Sequence, residues 1–293
     1  MTKPIFKGSG VALVTPFTED GVDYQKLEEL LDFQLQNGSD AIIITGTTGE
    51  ASTMPDEEQL DVIRFTAEKI NHRIPVIAGC GSNDTRHGVH LSYEAEKAGA
   101  DALLSVTPYY NKTTQKGLIE HYSCIAKAVS VPIILYNVPG RTGMELEPTT
   151  VAELASRFDH IVGVKECTFG HVGEILRLCP DMLVYSGEDA LAVPLMSLGG
   201  AGVISVIANM LPREVTDMMH ACLAGDYPKA AAIQIKLLPL ISALFCETSP
   251  IPIKEALNLM GMEVGRCRLP LTDMEEKNRE YLKRVMQESG VIA

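Results

Sequence analysis

Eight short apolar runs, each followed by a segment of helical period, recur through the first three quarters of this chain: Gly10–Pro16, Asp40–Gly46, Pro75–Cys80, Ala102–Pro108, Pro132–Asn137, Asp159–Glu166, Met182–Gly187 and Gly202–Val206. Continuous apolar runs of this length suit parallel strands buried on both faces. Their spacing, roughly 20 to 35 residues, is that of strand–helix units. Between them lie helix starts and stops. Asp23 precedes a helix over Tyr24–Asn37 whose core face is Leu27, Leu30, Leu31 and Leu35, with Gly38 as the stop. Pro55 opens another to Asn71, with Asp56, Glu57 and Glu58 in its first turn. Asp84–Ala98 ends at Gly99, and Pro148–Phe158 begins on a proline. Eight such units predict an α/β fold, a (β/α)8 TIM barrel. An open doubly wound sheet would carry a glycine-rich phosphate loop after its first strand, where this chain has Thr15-Pro16-Phe17.

Past Gly225 the pattern changes. Tyr227–Leu244, Ile251–Met260 and Asp273–Gln287 read as three helices without an intervening strand, the first bent by Pro239. The expected organisation is a catalytic barrel over residues 1–225 and a C-terminal helical region over 226–293 packed upon it. A net charge of −13 argues against nucleic acid, whose phosphates need clustered Lys and Arg. No run reaches the roughly 18 apolar residues of a membrane helix, and Met1–Gly10 has no apolar signal core. Seven widely spaced cysteines without a C-x-x-C pair suit reduced thiols. The expectation is a soluble, cytoplasmic protein without a membrane partner.

In a TIM barrel the chemistry gathers where strands end. The sixth run ends on Lys165. A lysine inside an apolar run is costly to bury as an ammonium. Burial favours its neutral amine, a nucleophile suited to forming a Schiff base with a carbonyl. A strand-end lysine that snorkels to water is the commoner arrangement. The fifth run favours the catalytic reading, because it ends on Tyr136, and neighbouring strands lie about 4.8 Å apart. A phenol beside an imine-forming lysine can move protons during carbinolamine formation and dehydration. The rival, Lys254, belongs to a helix beyond the barrel with no tyrosine near it in sequence. The loop Gly46-Thr47-Thr48-Gly49-Glu50 offers hydroxyls and backbone N–H groups to a carboxylate or oxyanion. Arg141 can clamp a carboxylate. Tyr109 and Tyr110 end the fourth run, and Ser186-Gly187-Glu188-Asp189 the seventh. His87 and His90 share a helix face, but no third ligand or adjacent carboxylate completes a metal site.

Taken together, Gly46-Thr47-Thr48-Gly49-Glu50, Tyr109-Tyr110-Asn111, Tyr136-Asn137-Val138-Pro139-Gly140-Arg141-Thr142-Gly143 and Gly163-Val164-Lys165-Glu166 resemble the dihydrodipicolinate synthase family of pyruvate-dependent class I aldolases. The likeness runs in order along essentially the whole chain. It implies that pyruvate and L-aspartate 4-semialdehyde are condensed through a Schiff base on Lys165, the first committed step of the diaminopimelate route to L-lysine. It implies Tyr136 as proton donor and acceptor, and Thr47 and Tyr110 as the rest of a proton relay. Thr48, Ile204 and Gly187 match substrate-binding positions, and Arg141 the residue that takes the semialdehyde carboxylate. No metal and no cofactor are required. Tyr110 implies a homodimer or homotetramer, because in the family that tyrosine crosses to a neighbouring subunit. Ser52, Asp56, Gln59, Asn83, His87 and Tyr109 match an allosteric pocket. Lysine-inhibited members usually carry histidines after the threonine loop and a glutamate near the third helix, where this chain has Asp56, Gln59 and His87, so feedback by L-lysine is expected to be weak or absent. N-acetylneuraminate lyase and 2-keto-3-deoxy sugar acid aldolases are the sibling alternatives, with the double threonine and Arg141 favouring the synthase. A catalytically dead binding protein on the same fold is the alternative of another class.

Overall fold

In the computed structural model, which describes residues 4–293, eight parallel strands close into a barrel. They are β1 (Gly8–Ala12), β2 (Ala41–Ile44), β3 (Val76–Gly79), β4 (Ala102–Val106), β5 (Ile133–Asn137), β6 (Ile161–Glu166), β7 (Leu183–Ser186) and β8 (Gly202–Ser205). The barrel closes by β1 pairing with both β2 and β8. The architecture is the (β/α)8 TIM barrel that the eight runs predict. The first strand differs from its run: it starts at Gly8 and stops at Ala12, while Val14, Thr15 and Pro16 lie beyond it. Apolarity misplaces this strand because Gly8 and Gly202 pack backbone to backbone, in a space where a side chain on Gly202 would strike the Gly8 carbonyl.

The connecting helices are α1 (Tyr24–Gln36), α2 (Asp56–Ile70), α3 (Thr85–Lys97), α4 (Gln115–Ala128), a single turn α5 (Pro139–Thr142), α6 (Pro148–Arg157), α7 (Val172–Leu178), α8 (Ala192–Ser197) and α9 (Pro212–Leu223). Asp23 caps α1, its carboxylate accepting from Lys26 N–H at 2.9 Å. The buried face of α1 is Leu27, Leu30, Leu31 and Gln34, with Leu35 only partly buried. Gln34 takes the inner position because its amide is satisfied there: it donates to the Ala208 carbonyl at 2.9 Å and accepts from Ser39 Oγ at 2.6 Å. Val11, Ile42, Ala78, Leu103, Leu135 and Val164 point outward from the strands into the layer beneath the helices. Ile43, Ile77, Leu104, Ile134, Tyr136, Tyr185 and Ile204 fill the barrel interior. This is the alternation a strand with two buried faces imposes.

After α9, helices α10 (Tyr227–Ala243), α11 (Ile251–Leu259) and α12 (Glu276–Glu288) follow without a strand. Helix α10 continues through Pro239 and packs on α8 and α9, while α11 and α12 pack on each other. Among the described residues no helix is long and apolar enough to cross a membrane.

Candidate active site

One irregularity sets the register on which the site depends. Between β5 and β6 the pairing runs Ile133 to Ile161 and then Ile134 to Gly163, leaving Val162 as the extra residue of a bulge. Without that shift Tyr136 would oppose Val164. With it, Tyr136 opposes Lys165, and Lys165 in turn opposes Tyr185 on β7. Register partners on neighbouring strands face the same side, so all three side chains enter the barrel. Lys165 is 6% exposed, and its Nζ lies 4.4 Å from the centre of the Tyr136 ring. Among the described residues it makes no salt bridge. Tyr185 lies below, stacked on Phe6 with ring centres 4.4 Å apart and donating to the Phe6 carbonyl.

The next residue of each strand turns to the outer face, where it ties the two strand ends together. Asn137 donates through Nδ2 to both oxygens of Glu166 at 2.9 and 3.1 Å, and its Oδ1 accepts from Leu146 N–H. Thr168 N–H also donates to Glu166. Burial pushes the Glu166 carboxyl up to about 7, against these hydrogen bonds. Tyr136 and Lys165 are thus held from behind by a stitch that includes neither.

Around the phenol stand Lys165, Cys167, Arg141 and Thr47. Burial raises the Tyr136 pKa, while Lys165, Arg141 and the facing Thr47 hydroxyl pull it down. Thr47 is exposed on the loop after β2, and Thr48 is buried beside it. Arg141 stands on α5, its Nη2 donating to the Ser249 carbonyl at 3.1 Å. Ile204 is buried in the interior from β8. Gly187, just past β7, is needed for space: a Cβ there would overlap Cys167 Sγ and lie 3.2 Å from Lys165 Cε.

Tyr110 is not brought to this group within its own chain. It is 90% exposed, with φ +70°. Its turn is held by Asn83 Nδ2 donating to the Tyr109 carbonyl at 3.1 Å and Asn111 Nδ2 to the Asn83 carbonyl at 2.9 Å. Next to this turn, His87 Nε2 meets both oxygens of Asp56 at 2.9 and 3.0 Å, and His87 Nδ1 meets Ser82 Oγ. His87 therefore does face a carboxylate, one that sequence separation hides. No third donor joins them, and among the described residues no three His, Cys, Asp or Glu side chains gather as a metal site would require. Gln59 is buried and donates to the Gly79 carbonyl at 2.7 Å. Ser52 is exposed and makes no side-chain hydrogen bond among the described residues. Asp56, Gln59, Asn83, His87 and Tyr109 thus form a set of mutually bonded or backbone-bonded groups, with Ser52 outside it.

Three neighbours of Lys165 stand outside the expected set: Cys167, Glu188 and Asp189. Cys167 faces Lys165 and Glu188, and burial pushes its thiol up to about 12, so it is a neutral SH. Burial also raises Glu188, against the pull of Cys167, Lys165 and Arg141. Asp189 Oδ2 accepts from the N–H groups of Val206 and Ile207 at 3.0 Å each, fixing the chain just past β8. The signal for Glu188 and Asp189 was present, since they end the seventh run. Cys167 lay two residues past the lysine.

The sequence profile of the dihydrodipicolinate synthetase family matches residues 5–289. The 4-hydroxy-tetrahydrodipicolinate synthase of Acetivibrio thermocellus is 60% identical over 293 residues, covering 100% of both chains. The crystal structure of dihydrodipicolinate synthase from Aquifex aeolicus is 45% identical, with a TM-score of 0.96 over 98% of this chain and 99% of that one. The chloride-inhibited dihydrodipicolinate synthase of Acinetobacter baumannii, complexed with pyruvate, is also 45% identical, with a TM-score of 0.95 over 98% of this chain and 100% of that one.

Proposed function

This chain belongs to the dihydrodipicolinate synthetase family, and on that premise we propose that it condenses pyruvate with L-aspartate 4-semialdehyde as a 4-hydroxy-tetrahydrodipicolinate synthase, with Lys165 as the nucleophile. The observation that carries the assignment is the contrast between two buried lysines. Lys254 is 2% exposed, and its ammonium is held 2.8 Å from Glu50. Lys165 is 6% exposed, its Nζ lies 4.4 Å from the Tyr136 ring centre, and among the described residues it forms no salt bridge, the charges of Glu188 and Asp189 reaching it only from a distance. An amine that must attack a carbonyl has to shed its proton, which an ion pair opposes and its absence permits.

Lys165 Nζ adds to the keto carbon of pyruvate, and the resulting carbinolamine loses water to give the imine. The imine withdraws electrons from the methyl group, a proton leaves, and the enamine adds to the aldehyde carbon of the semialdehyde. The amino group of that substrate then displaces Lys165 and closes the ring. Tyr136 moves the protons, its phenol facing the Thr47 hydroxyl and its ring lying 4.4 Å from Lys165 Nζ. Thr48, Ile204 and Gly187 bind pyruvate and shape the space above the imine. Arg141, one turn past β5, takes the second substrate's carboxylate. Incubation with pyruvate followed by borohydride reduction and peptide mapping tests the assignment. One reduced pyruvate is expected on Lys165; no adduct, or an adduct on Lys254, overturns it. Faster turnover of N-acetylneuraminate or of a 2-keto-3-deoxy sugar acid would move the chain to a sibling activity.

Self-association completes the relay. A tyrosine in the left-handed region is strained by about 1 to 2 kcal/mol, and one also left almost wholly in water gains little from its own chain. Both features support Tyr110 entering the site of a second copy, in a homodimer or a homotetramer. Tyr110→Phe should lower kcat by about 10²-fold while pyruvate is still trapped on Lys165; an unchanged kcat removes Tyr110 from the relay. Seven free cysteines support a reducing, cytoplasmic setting.

The allosteric pocket is read as unresponsive to L-lysine. Asp56 and His87 satisfy each other, and Gln59 is committed to the Gly79 carbonyl. A ligand ammonium or carboxylate would have to break these bonds before making its own. Steady-state assays with L-lysine should therefore give weak inhibition or none, and inhibition in the low micromolar range would refute the reading.

A further inference from the structure

Glu50 closes the threonine loop, and its carboxylate runs inward rather than to water. It is 2% exposed, with φ +57°. An ionised carboxylate in such a place is tolerated only with full hydrogen bonding. Here Oε1 accepts from Lys254 Nζ at 2.8 Å and Oε2 from Arg268 N–H at 2.8 Å. Lys254 makes a second bond, to the Arg266 carbonyl at 2.8 Å, and lies 4.5 Å from the Phe17 ring centre. Arg268 lies across the same ring at 4.0 Å, reaches both oxygens of Glu58 and donates to the Thr53 carbonyl. The stretch from α11 to Arg268 thus grips the loop and the start of α2 at Glu50, Thr53 and Glu58. From the other side, Thr15 Oγ1 donates to the Gly49 carbonyl at 2.7 Å and Thr45 Oγ1 to the Gly79 carbonyl at 3.1 Å.

We propose that the buried Lys254–Glu50 pair is a positioning device for catalysis, through which the C-terminal helices set the loop that carries Thr47 and Thr48. The proposal rests on the reading of Lys165 and that loop given above. Thr45 and Glu50, which bracket the two threonines, are both non-glycine residues with positive φ, at +53° and +57°. Such a backbone persists only when its surroundings fix it, and the two glycines between them add freedom rather than restraint. A buried ion pair is a poor source of stability, because apolar residues of equal volume often do as well. What the pair supplies is direction: two charged groups with a defined separation, one on the loop and one on α11. Burial lowers the Lys254 pKa and Glu50 opposes that fall, while the 2.8 Å contact to Glu50 Oε1 and the second bond to the Arg266 carbonyl commit Nζ to the pair rather than to chemistry.

The test uses the full-length enzyme. Wild type is first trapped with pyruvate and borohydride; failure to form the Lys165 adduct sinks the functional reading itself. Two variants then address the pair. Glu50→Asp keeps the charge and retracts the carboxylate by one methylene. Glu50→Gln with Lys254→Met removes both charges at similar volume. Glu50→Asp is expected to raise KM for pyruvate and lower kcat, each by about 10-fold, with a thermal midpoint near wild type. The double variant should unfold at or above the wild-type temperature and keep the kinetic defect. Wild-type KM and kcat in either folded variant means that the pair serves only the fold, and the proposal falls while the reading of Lys165 stands. Should neither variant fold, unmodified enzyme decides. Formation of the pyruvate adduct should slow amide exchange in residues 254–268 as well as in 45–50, because coupling is reciprocal; exchange in 254–268 that ignores the adduct overturns the proposal.

Discussion

A Lys165→Ala chain gains no mass when reduced by borohydride in the presence of pyruvate, and its turnover falls on the order of 10⁴-fold or more. The loss is large because the lysine is both nucleophile and electron sink; without the imine the pyruvate methyl group has no route to an enamine. The fold should survive. Lys165 is buried but forms no salt bridge among the described residues, so its removal breaks no ion pair and costs chiefly the packing of its stem. A second readout separates loss of the nucleophile from general disruption. Lys165 pulls the Tyr136 pKa down against the burial that raises it. Deleting the lysine should move the Tyr136 titration further upward in an ultraviolet pH titration, with Tyr136 still buried. Near-wild-type turnover, or an adduct transferred to another lysine, would end the assignment.

The barrel was legible because its strands are buried on both faces and read as unbroken apolar runs. Where burial is achieved without apolar side chains, the signal fails. Gly8 and Ser9 belong to β1 through backbone contact with β8, and Gln34 sits in the core of α1 because two hydrogen bonds satisfy it. The neighbourhood of Lys165 and Tyr136 followed from strand order, but the residue-to-residue match came from the bulge at Val162, which nothing in the apolar pattern marks. The pairing of Glu50 with Lys254 spans 204 positions. Each end was visible, one as the close of a glycine-bracketed loop and the other as a lysine in an apolar helix. Only the docking of α11 on the barrel makes them partners. Tyr110 is the reverse case, conspicuous in sequence and without a role inside its own chain.

Gly187→Ala carries the second large effect, and it needs no change in any functional group. Gly187 follows β7 with its N–H bonded to the Glu166 carbonyl at 2.9 Å, so the backbone there is pinned. A methyl group on it would overlap Cys167 Sγ and stand 3.2 Å from Lys165 Cε and 3.4 Å from Cγ. The backbone cannot retreat without breaking that hydrogen bond, so the side chains must move instead. Of these, Lys165 has no hydrogen-bond partner at its tip among the described residues and yields readily, sliding off the Tyr136 ring. A displacement of about 1 Å at a reacting atom is enough to cost about 10²-fold in rate, so kcat/KM should fall by that order, with slower trapping of pyruvate to match. Stability should change little, because the colliding groups are the ends of flexible side chains. The companion variant gives the argument its edge. Cys167→Ala removes the sulfur at 2.3 Å, the severest overlap, and leaves only the lysine stem at 3.2 Å, a contact relieved by a shift of a few tenths of an ångström. Gly187→Ala with Cys167→Ala should therefore recover most of the lost rate, a coupling between neighbours rather than the sum of two defects. If the double variant is no better than Gly187→Ala alone, the sulfur does not transmit the displacement. If Gly187→Ala is itself fully active, the space above Lys165 is not the reason a glycine stands there.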